Sequence, residues 1–378
     1  MKQCRSCFWA CFMVVLLLIC RGRRGGAQSS DGDGINYYIT WNDLKIQNDS
    51  RMSISDAEKN QNSNQNQTQK IIVVDWTGAG DSATVQGAVD LVAENNTERV
   101  KIHILPGLYR EKVVVPKSKP YISFIGDENR SPETVISWHD KASDSDGHGG
   151  ALGTVMSASV TVLSDYFCAM GVTFENTVVE PGDGENGYQA VALRISGEKA
   201  MFYKARFLGS QDTLNDETGS HYFYQCFIQG SVDFIFGNAR SLYQECSISV
   251  VKDGYAIAAH HRNSPSEATG FSFVNCTITG TGYGYGYGDG AVFLGRAWGN
   301  YSTTVYSYSE FDLHVRPGGW DDWKVPSRHS LVTFGEHECK GVGADRSRRV
   351  PWSQNLNLSQ ALPYLNTTYI QGHLWLRL

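Results

Sequence analysis

The segment that decides the fold is residues 202–247, FYKARFLGSQDTLNDETGSHYFYQCFIQGSVDFIFGNARSLYQECS, in which one short pattern occurs three times. The stretches 202–207, 222–227 and 242–247 are rich in aromatic and aliphatic residues, and polar turns separate them. A period of roughly 20–30 residues with short β-type stretches is typical of a solenoid. The pattern therefore predicts an all-β chain that is coiled into a β-solenoid.

Two acidic motifs lie one repeat apart inside this segment. Asp212 belongs to the sequence QDTL, and Asp233 begins the sequence DFIFG one repeat further on. Residues one coil apart in a β-solenoid stack at about 4.8 Å, so the two carboxyl groups should lie next to each other. Two such groups cannot both ionise freely, and one tends to keep its proton near neutral pH. The spacing predicts one nucleophile and one general acid/base.

Amide and cationic residues accompany the two acids. Gln189 precedes Gln211 by about one repeat, which predicts two stacked amides that donate hydrogen bonds without carrying charge, as an oxyanion hole requires. Arg296 can hold one carboxylate ionised through a bidentate bond. Trp298 offers an aromatic face to a sugar ring. Taken singly, each of these residues has an ordinary structural role, but together they favour a catalytic cleft.

The chain divides into three parts. Residues 1–27 are predicted to be a secretory signal, because a basic start is followed by an apolar run over 8–20, shorter than the about 20 residues that span a bilayer. Arginines after that run leave a signal anchor open as the alternative. Residues 28–70 are polar and are predicted to be a disordered linker. A single domain follows over 71–378.

The domain begins with a buried strand near Ile71, and an amphipathic helix over 85–94 is predicted to cap the open end of the solenoid. Further short strands are predicted over 100–105, 113–115, 122–125, 134–137, 154–162 and 167–174.

Charge and cysteine content narrow the function. Removal of residues 1–27, which hold five Lys and Arg and no Asp or Glu, leaves 28 basic and 39 acidic residues and a net charge of −11. This balance argues against a nucleic-acid partner. Five cysteines remain without any Cys-x-x-Cys pair, which argues against a metal site. Cys226 and Cys246 occupy equivalent places on successive coils, so they can form a disulfide; a stack of buried thiols is the alternative.

At this point the sequence resembles the plant pectinesterases (pectin methylesterases). The resemblance covers roughly residues 70–370 and rests on five motifs in the family's order and spacing: GLYRE at 107–111, QAVAL at 189–193, QDTL at 211–214, DFIFG at 233–237 and LGRAW at 294–298. It implies a right-handed parallel β-helix and a member of the class that lacks the N-terminal inhibitor-like domain.

The resemblance also implies a role for each matching residue. Asp233 corresponds to the nucleophile, Asp212 to the general acid/base and Gln211 to the transition-state stabiliser. The residues that correspond to substrate-binding positions are Thr154, Gln189, Arg296 and Trp298. The pair Cys226 and Cys246 matches a disulfide of the family.

The implied activity is hydrolysis of the methyl esters of galacturonate units in pectin, with release of methanol and without metal or cofactor. The implied setting is the plant cell wall, with the enzyme a monomer that has no stable membrane association. Secretion and glycosylation are predicted from the sequence itself, because Asn-x-Ser/Thr sequons follow the signal at Asn48, Asn66, Asn95, Asn275, Asn300, Asn357 and Asn366. A proteinaceous pectinesterase inhibitor is an implied partner. Two alternatives remain: a polygalacturonase-type β-helix glycosidase, which would use paired carboxylates with a Gly-His-Gly motif, and an inactive wall-binding protein.

Overall fold

Short strands recur in sets of three along the chain, and each set makes one coil of a right-handed parallel β-helix. The computed structural model describes residues 38–46, 70–179, 181, 187–252, 255–280 and 292–378. Every strand pairing in this part of the chain is parallel, which confirms the predicted fold class. Because each strand continues to the equivalent strand of the next coil, the strands form three long sheets.

The three sheets run along the helix axis, and within each sheet neighbouring strands come from successive coils. Sheet 1 contains eleven strands: β2 (Lys70–Val74), β3 (Val100–Ile104), β6 (Ile122–Ile125), β9 (Cys168–Met170), β12 (Ala200–Tyr203), β15 (Ser220–Tyr224), β18 (Arg240–Gln244), β21 (Gly270–Val274), β24 (Thr303–Ser307), β27 (Thr333–His337) and β28 (Gln354–Asn355). Sheet 2 contains eight: β5 (Val113–Val115), β8 (Val160–Val162), β11 (Leu193–Ile195), β14 (Leu214–Asp216), β17 (Ile235–Gly237), β20 (Ala256–His260), β23 (Phe293–Ala297) and β26 (Trp320–Asp321). Sheet 3 contains the remaining eight of the coil: β4 (Gly107–Arg110), β7 (Thr134–Trp138), β10 (Thr173–Asn176), β13 (Arg206–Leu208), β16 (Phe227–Gly230), β19 (Ser247–Val250), β22 (Thr277–Gly280) and β25 (Glu310–Asp312).

A ladder of aromatic rings fills the interior behind sheet 1. Phe202 pairs with Phe223 and Phe223 pairs with Tyr243, which is the repeat that the sequence shows. The rings of Phe202 and Phe223 are 4.8 Å apart at 6°, and those of Phe223 and Tyr243 are 4.6 Å apart at 8°. Each ring is fully buried. The repeated sequence pattern is therefore the pattern of the core.

The first helix, α1 (Val85–Asp90), closes the N-terminal end of the coil. Thr84 caps it by accepting a hydrogen bond from the Gly87 backbone N–H, and Val85, Ala88 and Val89 are fully buried beneath it. The helix is shorter than the predicted 85–94, since it ends at Asp90 with Leu91 as its C-cap. A second short helix, α2 (Leu358–Ala361), lies near the C-terminus.

Part of the predicted linker is folded. Residues 38–46 contain strand β1 (Ile39–Thr40) and a 3-10 helix (Trp41–Leu44), and β1 pairs with the C-terminal strand β29 (Leu376–Arg377). Ile39 and Leu44 are fully buried. The prediction of a disordered linker over 28–70 is therefore wrong for residues 38–46, because two apolar side chains in this polar stretch reach the solenoid surface. Residues 28–37 and 47–69, like the predicted signal, lie outside the described residues.

The predicted disulfide is also absent. Cys226 and Cys246 lie on adjacent coils as expected, but both are free thiols. The Sγ of Cys226 donates to the carbonyl of Phe202, and the Sγ of Cys246 donates to the carbonyl of Phe223. Cys276, on the following coil, donates to the Tyr243 carbonyl in the same way. The alternative, a stack of buried thiols, is what the structure contains.

Candidate active site

A cleft of about 680 Å³ runs along the outer face of sheet 2, and strand register explains its shape. Its floor is one row of residues on successive strands: Asn215, Phe236, Ala259 and Arg296. One wall consists of the residue that immediately follows each of the same strands: Glu217, Asn238, His261 and Trp298. The opposite wall consists of residues that precede the strands, among them Gln189, Gln211, Asp212, Asp233 and Tyr255.

The two aspartates occupy equivalent positions on adjacent coils. Leu214 pairs with Ile235, which places Asp212 beside Asp233, as their spacing by one repeat predicts. Both have a left-handed backbone, with φ of 63° at Asp212 and 46° at Asp233. This conformation costs about 1–3 kcal/mol for a residue other than glycine and is often found at functional sites. Here it marks the turn that carries both carboxyl groups into the cleft.

Gly237, at the end of the DFIFG motif, cannot be replaced by a larger residue without strain. Its φ is 133°, and a Cβ atom at this position would lie 2.0 Å from the carbonyl oxygen of Asp216 on the preceding coil. A glycine is therefore required for the two coils that carry the aspartates to approach each other.

Asp233 is held from one side only. Its Oδ2 accepts a hydrogen bond from Arg296 Nη2 in an ion pair, whereas its Oδ1 is buried and has no hydrogen-bond partner in the described part of the protein. The Arg296 guanidinium in turn lies over the ring of Trp323, with Cζ 3.7 Å from the ring centroid. One carboxylate oxygen is thus fixed by charge, and the other is left available for chemistry.

The environment separates the protonation of the two carboxyl groups. Burial raises the pKa of Asp233 to about 6, while the Arg296 cation acts in the opposite direction. Burial and the negative charge of Asp233 together raise the pKa of Asp212 well above its ordinary value. Since Arg296 donates directly to Asp233, Asp233 is the member that ionises first and Asp212 is the member that keeps the proton.

The two glutamines lie opposite each other on adjacent coils. The backbone N–H groups of Ala192 and Leu193 both donate to the Thr213 carbonyl, which marks a one-residue bulge. Before this bulge the Ala190 N–H donates to the Gln211 carbonyl, so the register places Gln189 beside Gln211, in agreement with their spacing of about one repeat. The stacking of the two side-chain amides stays a prediction. Gln189 Oε1 accepts from the backbone N–H of Gly187 at 2.8 Å, which leaves its NH₂ group for the cleft. Gln211 Oε1 is buried without a partner in the described residues.

All seven predicted site residues line this one cleft: Thr154, Gln189, Gln211, Asp212, Asp233, Arg296 and Trp298. Their chemical roles remain predictions. The Thr154 carbonyl accepts from Ser157 Oγ, which also accepts from the Val191 backbone N–H. These bonds tie the turn that carries Thr154 to the segment that carries Gln189.

Sequence reasoning missed several lining residues. Trp323, which supports Arg296, lies in a loop with no recognisable motif. Asn238 and Glu217 could have been found, because each follows its aspartate at the same short distance along the chain. His261 could have been found from the strand that precedes it, since it directly follows β20 as Trp298 follows β23.

A second carboxylate centre lies on the inner side of β14. His221 Nδ1 is 2.5 Å from Asp216 Oδ1 and its Nε2 is 2.8 Å from the Gly197 carbonyl oxygen, while Tyr243 donates to Asp216 Oδ2 at 2.6 Å. Both ring nitrogens face acceptors, so the geometry fits an imidazolium. Burial lowers the pKa of His221, but the Asp216 carboxylate outweighs it and the pKa lies above its ordinary value. This buried ion pair anchors the strand next to the aspartates.

Two further properties concern the described residues only. No group of three or more His, Cys, Asp and Glu side chains in them converges in a way that could hold a metal ion. No helix among them is both long and apolar enough to cross a membrane.

The Gly-His-Gly sequence at 147–149, which a polygalacturonase-type glycosidase would use, is exposed and does not line the cleft.

The fold and the cleft define a class of protein: a parallel β-helix with a paired-carboxylate cleft on one sheet. Within that class, the chain belongs to the pectinesterase family, whose model matches residues 71–373.

Comparison with individual proteins agrees with this family. The chain is 54% identical over 384 residues to pectinesterase QRT1 of Arabidopsis thaliana, an alignment that covers 97% of this chain and 99% of the relative. It is 41% identical to probable pectinesterase 8 of the same species, over 85% of this chain and 80% of that protein. The solved structure of pectin methylesterase from carrot matches with a TM-score of 0.73 and 31% identity, over 82% of this chain and 96% of that one.

Proposed function

We propose that this protein hydrolyses the methyl esters of galacturonate units in pectin through a covalent intermediate on Asp233. The observation that carries the proposal is the asymmetric pair of carboxyl groups in one cleft. Asp233 is bound to Arg296 and ionises first, and Asp212 beside it keeps its proton. One group is thus prepared for attack and the other for proton transfer.

The first step forms an acyl-enzyme. Asp233 Oδ1, which has no hydrogen-bond partner in the described residues, attacks the C6 carbonyl carbon of the esterified unit. The negative charge that develops on the carbonyl oxygen is stabilised by the amides of Gln211 and Gln189, and one such donor contributes about 3–4 kcal/mol. The bond from carbon to the methoxy oxygen then breaks, and Asp212 gives its proton to the departing methanol.

The second step returns the enzyme to its starting state. Asp212, now ionised, takes a proton from a water molecule whose oxygen attacks the acyl carbon. The bond to Asp233 breaks, and the galacturonic acid product leaves with Asp233 ionised and Asp212 protonated again; the product then loses its carboxyl proton to the solvent. Neither step needs a metal or a cofactor. Thr154, Arg296 and Trp298 line the same cleft and are proposed to bind the sugar chain.

The proposal also includes the predictions on localisation, processing, oligomeric state and partners. Secretion to the cell wall, cleavage of the signal, glycosylation, a monomeric state and an inhibitor protein as partner rest on the sequence and the family. The glycosidase alternative is not favoured, since its Gly-His-Gly sequence lies away from the cleft and the relatives are pectinesterases.

The experiment is a methanol-release assay on highly esterified pectin with the purified secreted protein. Release of methanol without new reducing ends supports the proposal. New reducing ends would point to a glycosidase, and binding without either product would point to an inactive wall-binding protein.

A further inference from the structure

The cleft extends beyond the reacting coil, and this extension concerns the sugar next to the one that reacts. The four floor residues Asn215, Phe236, Ala259 and Arg296 lie on successive strands about 4.8 Å apart, so an extended polymer fits along the helix axis. Asp233 belongs to the coil of Phe236. One coil further along the axis, the wall of the cleft is formed by His261.

His261 and Trp298 form one aromatic shelf. Their rings are stacked with centroids 4.0 Å apart at an interplanar angle of 26°, and both line the cleft. Trp298 also packs near Phe236 of the floor, at 6.1 Å between centroids. A flat pair of rings beside the floor offers a large surface to the apolar face of a sugar.

The hydrogen bonds around His261 select one tautomer. Asn263 Oδ1 accepts from the backbone N–H of Asn300 at 3.3 Å, so the Asn263 NH₂ group faces His261. Asn263 Nδ2 is 3.0 Å from His261 Nε2. Because the amide nitrogen is the donor, Nε2 is the acceptor and the ring proton sits on Nδ1. The Nδ1–H has no hydrogen-bond partner among the described residues.

The Glu267 carboxylate connects wall residues of two adjacent coils. Glu267 Oε2 accepts from Asn238 Nδ2 at 2.9 Å and from the Asn263 backbone N–H at 3.3 Å. Thr269 Oγ1 donates to Asn238 Oδ1 at 2.8 Å. The wall residues of the reacting coil and of the next coil are therefore linked in one network. Burial lowers the pKa of His261, with Glu267 opposing and Arg328 reinforcing the effect, which agrees with a neutral ring.

We propose that His261 is a substrate-binding residue that donates its Nδ1–H to an oxygen of the galacturonate unit adjacent to the reacting one. The shelf of His261 and Trp298 holds the face of that unit, and the neutral donor binds it without selecting for a free carboxylate. This role is one of recognition: His261 touches the neighbouring sugar and takes no part in bond cleavage. The inference rests on the proposed function, since it assumes a galacturonate polymer in the cleft.

The test uses methyl-esterified oligogalacturonides of increasing length and follows methanol release. His261→Phe keeps an aromatic ring on Trp298 and removes the donor. For oligomers long enough to reach the next coil, KM should rise about 3- to 10-fold, the equivalent of one neutral hydrogen bond, while kcat stays within about twofold. For the shortest oligomers that still react, KM should not change. His148→Phe, at an exposed histidine away from the cleft, is the matched control and should behave as wild type.

A second variant tests the tautomer. In Asn263→Asp, a carboxylate would face His261 Nε2, so the ring should take up a second proton and become a cation. Inhibition by fully demethylated polygalacturonate should then strengthen several-fold relative to wild type. The inference is overturned if His261→Phe leaves KM unchanged at every length, or changes kcat equally at all lengths, while wild type releases methanol. Absence of methanol from wild type itself would instead contradict the proposed function.

Discussion

The two carboxylate centres on either side of β14 make opposite use of the same kind of residue. In the interior, both oxygens of Asp216 accept hydrogen bonds and both ring nitrogens of His221 face acceptors. In the cleft, Asp233 Oδ1 and Gln211 Oε1 are buried but have no partner in the described part of the chain. A satisfied buried network stabilises a fold, whereas unsatisfied groups carry a free-energy cost. The difference indicates which centre is structural and which is reactive.

The largest expected effect is on catalysis at the unsatisfied centre. Asp233→Asn has nearly the same shape but an amide that cannot attack, so methanol release should fall by at least about 10³-fold. Circular dichroism and thermal unfolding should show a folded protein. Retention of more than a few per cent of wild-type turnover would show that Asp233 is not the nucleophile.

A smaller but still severe loss is expected for Asp212→Asn. Its proton goes to the leaving group, and a positioned acid of this kind contributes typically about 10²–10⁴-fold. Turnover of the methyl ester, measured by methanol release, should therefore fall by about that factor. The double variant Asp212→Asn, Asp233→Asn should lose little more than Asp233→Asn alone, because the two residues act in one step. Full additivity of the two losses would contradict a shared step.

A substitution at the interior centre of Asp216 and His221 should lower the free energy of unfolding and leave turnover nearly unchanged. Asp216→Asn breaks a buried ion pair and should lower the free energy of unfolding by about 3–5 kcal/mol, measured by urea denaturation. The folded fraction should keep kcat/KM within a fewfold of wild type. The pKa of His221 is raised in the folded state, so the stabilisation of the wild type by the Asp216–His221 ion pair depends on pH. This stabilisation is fully present below the unfolded pKa of His and declines as the pH rises through the folded pKa. The difference in stability between wild type and Asp216→Asn should decline with it. A catalytic loss without a stability loss would reverse the assignment.

The smallest expected effect is a shift in the pH dependence of kcat/KM when Arg296 is replaced. Asp233 must be ionised to attack, and the activity should rise through about pH 6 as it loses its proton. Because Arg296 opposes the raised pKa, Arg296→Gln should move this acidic limb of kcat/KM to higher pH, whereas Arg296→Lys should leave it closer to wild type. An unmoved limb in the Gln variant would limit Arg296 to holding the sugar.

Residue spacing made much of this predictable. The repeat around Phe202, Phe223 and Tyr243 encodes the core, and the spacing of Asp212 and Asp233 by one repeat places two acids on adjacent coils. The spacing of Gln189 and Gln211 by about one repeat also places them on adjacent coils, although a one-residue bulge at Ala192 and Leu193 makes that coil longer. Spacing failed for Trp323, because loop geometry decides that its ring stacks on Arg296.

The cysteines show a different limit. Equivalent positions on successive coils bring Cys226 and Cys246 together, yet both are free thiols. Each thiol instead donates to a carbonyl of the neighbouring strand. Sequence spacing places two cysteines on adjacent coils but does not decide between a disulfide and a stack of thiols.

The most direct test of a covalent intermediate on Asp233 is a rapid-mixing experiment with Asp212→Asn and a galacturonate ester whose leaving group needs no proton. The acylation step should proceed without Asp212, whereas hydrolysis of the intermediate should be slow. A burst of about one equivalent of leaving group per enzyme should therefore precede a slow steady rate, and the Asp212→Asn, Asp233→Asn double variant should show no burst. A linear time course from Asp212→Asn, with the same rate as the double variant, would contradict the covalent mechanism.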